Sequence, residues 1–239
     1  MKNSTKIKIM ALVCTLCIVA LVLIFVFAVK INHIEVTGNE KYSDKKIEEM
    51  IFKDKWMKSP IVFFFRTKFG KQESIPFVAK YEISMKSLTS VKISVYEKNV
   101  VGYIEYFGTN MYFDKDGIVS ESSSEVLEGI PKITGIKFDY IVLQKKIPVE
   151  NDKLFSKIMD ITQLLNKYSI SVDKIYISGS MEMTLYMGDV KVELGDGDNL
   201  NEKIIDLNDM RENLNGLSGT LDMKRYDSAD EGYTFKKNQ

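Results

Sequence analysis

Two serines placed three residues before a lysine are the first candidates for chemistry in this sequence. Ser43-x-x-Lys46 and Ser171-x-x-Lys174 fit the Ser-x-x-Lys pattern of penicillin-binding enzymes, in which the serine is the nucleophile. The companion Ser-x-Asn and Lys-Thr-Gly motifs of those enzymes do not occur, and neither does a Gly-x-Ser-x-Gly elbow. We therefore interpret both serines as structural residues, with Ser43 at the start of a helix.

Residues that could bind a metal or relay a proton are also sparse. His33 is the single histidine, so it can neither build a typical zinc site nor find a relay partner among outer cysteines. Cys14 and Cys17 are the only cysteines, and both lie inside an apolar run, where we interpret them as inert membrane thiols or, alternatively, as sites of lipid acylation. Asp196-Gly-Asp198 resembles the start of a calcium loop, but Leu200 replaces the third ligand. We expect no catalytic, cofactor-binding or metal-binding residues.

The apolar run that holds the cysteines extends from Ile9 to Val29 without charge, glycine or proline. As a helix it would span about 31 Å, which matches the hydrocarbon core of a bilayer. We predict a cytoplasmic tail at 1–8 and a transmembrane helix at 9–29, because Lys2, Lys6 and Lys8 precede the run and the positive-inside rule then leaves the body outside the cell. A cleaved signal peptide is the alternative, although its apolar region is usually shorter.

The charge of the chain excludes some partners. The sequence has 33 basic and 33 acidic residues, and four of the basic ones lie within residues 1–30, which leaves 29 basic against 33 acidic residues in the body. Such a mildly acidic body does not suit nucleic-acid binding, which needs a basic face. No small-molecule substrate is indicated either.

The first outer segment, 31–98, carries strand and helix patterns in the order β-α-α-β-β. A short strand begins at Ile31, and Ser43 caps a helix with an apolar stripe. Ser59-Pro60 starts a second helix that contains Phe63-Phe64-Phe65. We interpret this run as buried, with contact to the membrane surface as the alternative. Residues 67–75 are expected to be a loop, and two alternating runs at 78–85 and 91–97 predict a hairpin.

The second outer segment, 99–226, predicts a mixed, mainly antiparallel β domain with two helices. Strand-like runs lead to a serine- and glutamate-rich stretch at 120–126, which we expect to be a loop. Apolar stripes that begin at Leu154 and Leu200 predict the helices, and three short strands between them predict a meander. Leu221–Tyr226 is expected to be the final strand, followed by a tail at 227–239.

Several motifs in this order resemble the FtsQ/DivIB family of bacterial cell division proteins. Ile75-Pro-x-Val78 and Val91-x-Ile-x-Val-x-Glu-Lys98 resemble the POTRA domain of that family. Val190-x-Val-x-Leu-Gly195 and Thr220-Leu-Asp-Met-Lys-Arg225 resemble late strands of its β domain. The family often has Glu-Arg-x-Pro after the third POTRA strand, whereas this chain has Glu97-Lys-Asn-Val100. The resemblance spans nearly the whole chain, anchor included.

The resemblance implies a fold, a function and a binding surface. The fold would be a single-pass membrane anchor plus an α+β ectodomain, in which a βααββ POTRA domain precedes the β domain. The protein would be a non-enzymatic divisome scaffold in the cell membrane, concentrated at the septum. It would bind FtsL-like and FtsB/DivIC-like bitopic coiled-coil proteins and help to regulate septal peptidoglycan synthesis. The family's main contact lies on its last strands, which correspond here to Thr220, Leu221, Asp222, Met223, Lys224, Arg225 and Tyr226.

Two other functions remain open from the sequence. A POTRA-bearing transport or insertion factor would share the domain type, although such proteins usually carry several POTRA units or a β-barrel. An anchored cell-wall enzyme, or a regulator of one, would suit the membrane anchor and the Ser-x-x-Lys patterns.

Overall fold

A computed structural model describes residues 2–151, 153–225 and 232–238 of the chain. The chain divides into two compact units, residues 1–97 and residues 98–239. We call them unit 1 and unit 2 and treat each separately.

Unit 1 begins with α1 (Lys2–Ala28). Among the residues that the structure describes, this is the one helix long and apolar enough to cross a membrane, and the qualifying stretch is Lys6–Phe25. None of that stretch is buried against the rest of the protein. Cys14 and Cys17 are exposed along it.

The body of unit 1 is a three-stranded sheet with helical segments between its first two strands. The sheet order is β1-β3-β2, with β1 parallel and β2 antiparallel to the central β3. The elements are β1 (His33–Thr37), α2 (Asp44–Ile51), a 3₁₀ helix (Lys55–Lys58), α3 (Pro60–Phe69), β2 (Val78–Ser87) and β3 (Ser90–Glu97).

Local interactions explain where the helices of unit 1 begin and end. Ser43 caps α2 as predicted, because its Oγ accepts the N–H of Lys46 at 3.3 Å. Pro60 occupies the first turn of α3, where its missing N–H costs nothing. α3 continues to Phe69, so the loop expected from residue 67 begins three residues later. The Thr67 hydroxyl bonds the Phe63 carbonyl at 2.8 Å, which lets a polar residue continue the helix.

The core of unit 1 lies between the sheet and the inner faces of α2 and α3. Ile47 of α2, Phe63 of α3 and Ile93 of β3 have no exposed surface. The Phe63 ring stacks on Phe52 with 4.9 Å between the ring centroids. The prediction of a buried phenylalanine run is therefore right for Phe63 alone, because Phe64 and Phe65 point out of the core.

Within its described residues, unit 2 is built on a nine-stranded mixed sheet. The order across it is β12-β11-β10-β9-β8-β7-β4-β5-β6, and the pairs β4–β7, β7–β8 and β10–β11 are parallel. The strands are β4 (Gly102–Tyr106), β5 (Thr109–Phe113), β6 (Val119–Ser123), β7 (Lys132–Thr134), β8 (Lys174–Ile177), β9 (Met183–Met187), β10 (Val190–Gly195), β11 (Gly219–Asp222) and β12 (Thr234–Lys237). The body is thus α+β and rich in sheet.

Two helices pack on this sheet and share one hydrophobic core with it. α4 (Lys153–Lys167) buries the predicted stripe that begins at Leu154, and α5 (Leu200–Leu214) buries Ile204 and Leu207. These side chains meet inward residues of the strands, among them Val192, which has no exposed surface. Burial of this apolar surface is the main force that holds unit 2 together.

Four strands of unit 2 differ from the sequence prediction. β11 spans Gly219–Asp222, whereas the sequence predicts the final strand at Leu221–Tyr226. β6 forms within the expected loop, because its first residue, Val119, is buried and its polar residues pair with β5. β7 has only three residues, which are too few to show the alternation of apolar and polar residues that predicts a strand. β12 lies within the expected tail 227–239, of which the structure describes residues 232–238.

Phe63 and Phe65 give a matched test of the unit 1 core. We expect Phe63→Ala to lower the free energy of unfolding of unit 1 by about 3–5 kcal/mol, because it leaves a cavity in a packed core. Phe65→Ala, at a side chain that is 57% exposed, should change it by less than about 0.5 kcal/mol. Urea denaturation followed by the emission of Trp56, the single tryptophan, measures this in unit 1. Equal effects of the two substitutions would contradict the described core.

Candidate partner-binding edge

The segment predicted to bind a partner lies inside the sheet and not at its edge. Residues 220–222 belong to β11, which pairs with β10 on one side and with β12 on the other. β11 is therefore not an edge strand, because the chain returns at Thr234–Lys237 and pairs with it, while the partner-binding role of its residues stays a prediction. Tyr226, the last residue of the predicted set, lies outside the described residues.

The side chains of the predicted segment alternate between core and surface. Leu221 and Met223 are buried and belong to the hydrophobic core of unit 2. Thr220 and Asp222 are half-buried, as the alternation of a strand requires. Lys224 and Arg225 follow the strand and are exposed. The last two therefore have the exposed side chains that a partner could contact most readily, while Leu221 and Met223 complete the core.

A small charged cluster lies beside this segment on the neighbouring strand. Glu193 of β10 accepts hydrogen bonds from Lys191 and from Lys224, and the Lys224 Nζ lies 2.7 Å from its Oε2. These two hydrogen bonds lower the pKa of Glu193, and the bond to Glu193 raises the pKa of Lys224. The cluster fixes the side chain of Lys224, and Arg225, the next residue, is exposed.

A buried lysine anchors the end of this segment to the rest of unit 2. Lys203 of α5 has no exposed surface, and its Nζ donates to the carbonyl oxygens of Leu194 at 2.8 Å and Lys224 at 2.9 Å. Burial lowers the pKa of this ammonium, although Asp196 and Asp198 oppose the shift. Lys203 therefore connects the end of β10, the residues after β11 and α5 through one side chain.

The open edge of the sheet is β12. Among the described residues no strand pairs with its outer side. The Asn238 N–H donates to the Ser218 carbonyl at 3.0 Å, so Asn238 and, by alternation, Lys236 turn their backbone groups toward β11. Phe235 and Lys237 then turn their N–H and C=O groups away from the sheet, where an added strand could bind them.

Side chains hold this last strand in place. The Tyr233 hydroxyl donates to Asp206 of α5 at 2.7 Å, and the Asn238 amide donates to the Ser218 hydroxyl at 2.9 Å. Phe235 packs against the hydrophobic core. β12 is thus a fixed edge with two exposed lysines, Lys236 and Lys237.

The opposite edge of the same sheet is partly covered. The Val119 N–H of β6 donates to the Lys145 carbonyl at 3.0 Å, and the Gln144 N–H donates back to Val119 at 2.7 Å. The Lys98 ammonium occupies the next carbonyl, that of Ser120, at 2.9 Å. A partner strand would therefore find fewer unpaired backbone groups on β6 than on β12.

The residues considered for chemistry are exposed or take part in local turns and caps where the structure describes them. His33 is exposed on β1, and Ser171 is exposed in the loop before β8. The Asp196 carboxylate accepts the N–H of Asp198 at 3.2 Å within the turn before α5. Within the described ranges, no three His, Cys, Asp or Glu side chains come together as a metal site would require.

Sequence reasoning missed β12 because its signal is weak. Thr234-Phe-Lys-Lys237 contains one apolar residue and no alternation, and it lies in a polar C-terminal stretch. The only local clue is the pair of β-favouring residues, Thr234 and Phe235.

Comparison with models of known protein families finds no match for this chain, and no curated protein matches it.

Lys203 predicts a pH dependence for the stability of unit 2. Because its pKa is lowered from the ordinary value of 10.5 in the folded state, the unfolded chain binds more protons just below that pH. The free energy of unfolding therefore rises as the pH increases toward 10.5. Lys203→Met removes this titration, so we expect the stability of the wild type relative to the variant to increase between neutral pH and about 10. Urea denaturation followed by circular dichroism across this pH range measures it.

Lys145→Met is the matched control, because it removes an exposed lysine of unit 2. Its stability should follow that of the wild type across the same pH range. Parallel profiles for the wild type and Lys203→Met would contradict the buried environment of Lys203.

Proposed function

We propose that this chain is a non-enzymatic scaffold of the bacterial divisome, of the FtsQ/DivIB type, that binds other division proteins outside the membrane. α1 would anchor it as a single-pass protein of the cell membrane with the N-terminus in the cytoplasm. The body would act at the septum, where it would help to regulate septal peptidoglycan synthesis. Its partners would be FtsL-like and FtsB/DivIC-like bitopic coiled-coil proteins.

The element order of unit 1 supports the POTRA part of this proposal. A strand, two helices and a hairpin follow one another, and the first strand pairs in parallel with the last. That is the βααββ order that the resemblance implies. The Glu97 carboxylate of the resembling motif bonds the N–H groups of Glu40 and Lys41, each at 2.9 Å, which ties the end of β3 to the turn before α2. The motif residue therefore has a structural reason to be there.

The observation that carries the binding role is the open edge β12. Phe235 and Lys237 present unpaired backbone groups, and an extended peptide can satisfy them by adding a strand to the sheet. Lys236 and Lys237 give this edge two exposed positive charges. An extended segment with acidic residues, contributed by a coiled-coil partner, would fit both features. The contact would thus shift from the predicted strand β11 to its neighbour β12.

A single backbone change tests this edge. Lys237→Pro removes an outward N–H and leaves the bonds from β12 to β11 intact, because proline is tolerated on an edge strand. We expect it to weaken binding of the FtsL-like and FtsB/DivIC-like partners about tenfold, the cost of one lost hydrogen bond and one unpaired partner carbonyl. The measurement is an affinity titration of the full-length protein in detergent with the purified partners.

Lys237→Ala is the control, because it removes the same side chain and keeps the N–H. Its affinity should fall only by the small cost of losing one exposed charge, well short of the effect of Lys237→Pro. If the wild type binds and Lys237→Pro binds equally well, the divisome role stands and the β12 contact is wrong. If the wild type binds neither partner, the divisome role itself is wrong.

A further inference from the structure

The outer face of α3 carries an apolar stripe where a helix of a soluble domain would normally be polar. Phe64, Phe65 and Phe69 are exposed, with Phe69 72% accessible, and we call these three residues the aromatic stripe. They follow Ile61 at helical spacing and therefore share one side of α3. The rings contact one another, with centroid distances of 5.8 Å for Phe64–Phe65 and 5.9 Å for Phe65–Phe69. The stripe is a continuous surface and not three isolated side chains.

The chain between the membrane helix and this surface is very short. α1 ends at Ala28, and the Ile31 N–H already donates to the Lys58 carbonyl at 2.7 Å. Three residues reach at most about 10 Å. Lys58 ends the 3₁₀ helix and directly precedes α3, so α3 begins within a few residues of the exit from the bilayer. α1 and α3 are also in contact.

A second part of unit 1, the turn between β2 and β3, is also bonded to the short chain segment that follows α1. The N–H groups of Asn32 and His33 both donate to the Thr89 carbonyl at 3.1 Å. Thr89 lies in the turn between β2 and β3, and its neighbour Leu88 is an exposed apolar side chain. The chain leaving α1 thus connects to two elements, α3 and the β2–β3 turn, and both carry apolar side chains on the outside.

Basic side chains accompany these apolar ones. The Lys68 ammonium lies 5.3 Å from the centre of the Phe64 ring and 5.8 Å from that of Phe69, so the charge sits beside the stripe. Lys30 and Lys55 are exposed in the chain between α1 and α3, and Lys71 is exposed two residues after α3 ends. Apolar side chains with lysines beside them suit the boundary between acyl chains and anionic headgroups.

We propose that the aromatic stripe of α3 docks unit 1 onto the surface of the membrane that α1 spans, with phenylalanine rings among the upper acyl chains and the lysines on anionic headgroups. The proposal rests on α1 crossing a bilayer and not on the divisome role. It also gives the exposed phenylalanines of α3 a function that the β12 edge does not require.

The single tryptophan makes this docking measurable in the full-length protein. Trp56 lies on the 3₁₀ helix next to α3 and is 56% exposed. In vesicles of phosphatidylethanolamine and phosphatidylglycerol with brominated acyl chains, docking brings Trp56 within reach of the quencher. We expect strong quenching of its emission in the wild type and loss of about half of that quenching or more in Phe64→Ser/Phe65→Ser/Phe69→Ser, which lacks the apolar area that drives docking. Replacing phosphatidylglycerol by phosphatidylcholine should also reduce the quenching.

Phe107→Ser is the matched control, because it removes a phenylalanine of unit 2 that is 91% exposed. It should leave the quenching unchanged. If the triple variant does not fold, as judged by circular dichroism, Phe65→Ser alone provides the same comparison. The proposal is wrong if wild-type Trp56 is not quenched. That result is expected if the stripe serves to bind a protein partner and not the membrane. It is equally wrong if the folded stripe variants are quenched as strongly as the wild type.

Discussion

Backbone hydrogen bonding around β11 is the constraint on which the C-terminal half of unit 2 depends. β11 is a short strand that pairs in parallel with β10 and antiparallel with β12, so its backbone groups are used on both sides. Lys203 extends this arrangement, because its ammonium bonds the carbonyls of Leu194 and Lys224, where the regular pairing ends. Burying a lysine costs free energy unless its N–H donors form hydrogen bonds. The two bonds of Lys203 therefore hold the end of β10 and the residues after β11 against α5.

The same constraint decides which surface is open. Because β11 is paired on both sides, β12 is the edge strand at this end of the sheet among the described residues. Its backbone N–H and C=O groups that face away from the sheet are those of Phe235 and Lys237. Two exposed lysines on that strand discourage self-association of the edge, which is a common protection of natural sheets. Under the proposed function they would also favour an acidic partner, so that one short strand would combine protection against aggregation with selection of a partner.

Sequence patterns predict the elements of this chain that bury a regular stripe and miss those that depend on distant pairing. The α4 stripe and the β2–β3 hairpin follow from periodicity, and the Ser43 cap follows from local chemistry. β12 has one apolar residue, so its existence depends on the register with β11 and on Tyr233 bonding Asp206. The predicted site was therefore placed on a strand next to the open edge. The direction of Phe64 and Phe65 was missed for a similar reason, because three consecutive phenylalanines cannot all face one side of a helix.

The short connection between α1 and the body of unit 1 has a consequence if α1 crosses a bilayer as proposed. Because Ile31 is bonded to Lys58 three residues after α1 ends, the body of unit 1 would then stay close to that bilayer. Its encounters would resemble diffusion in a plane, where anchored proteins meet at a far higher effective concentration than the same domains free in solution. Weak individual contacts would be sufficient for assembly under such confinement, and they would allow the assembly to come apart again when its members disperse along the membrane.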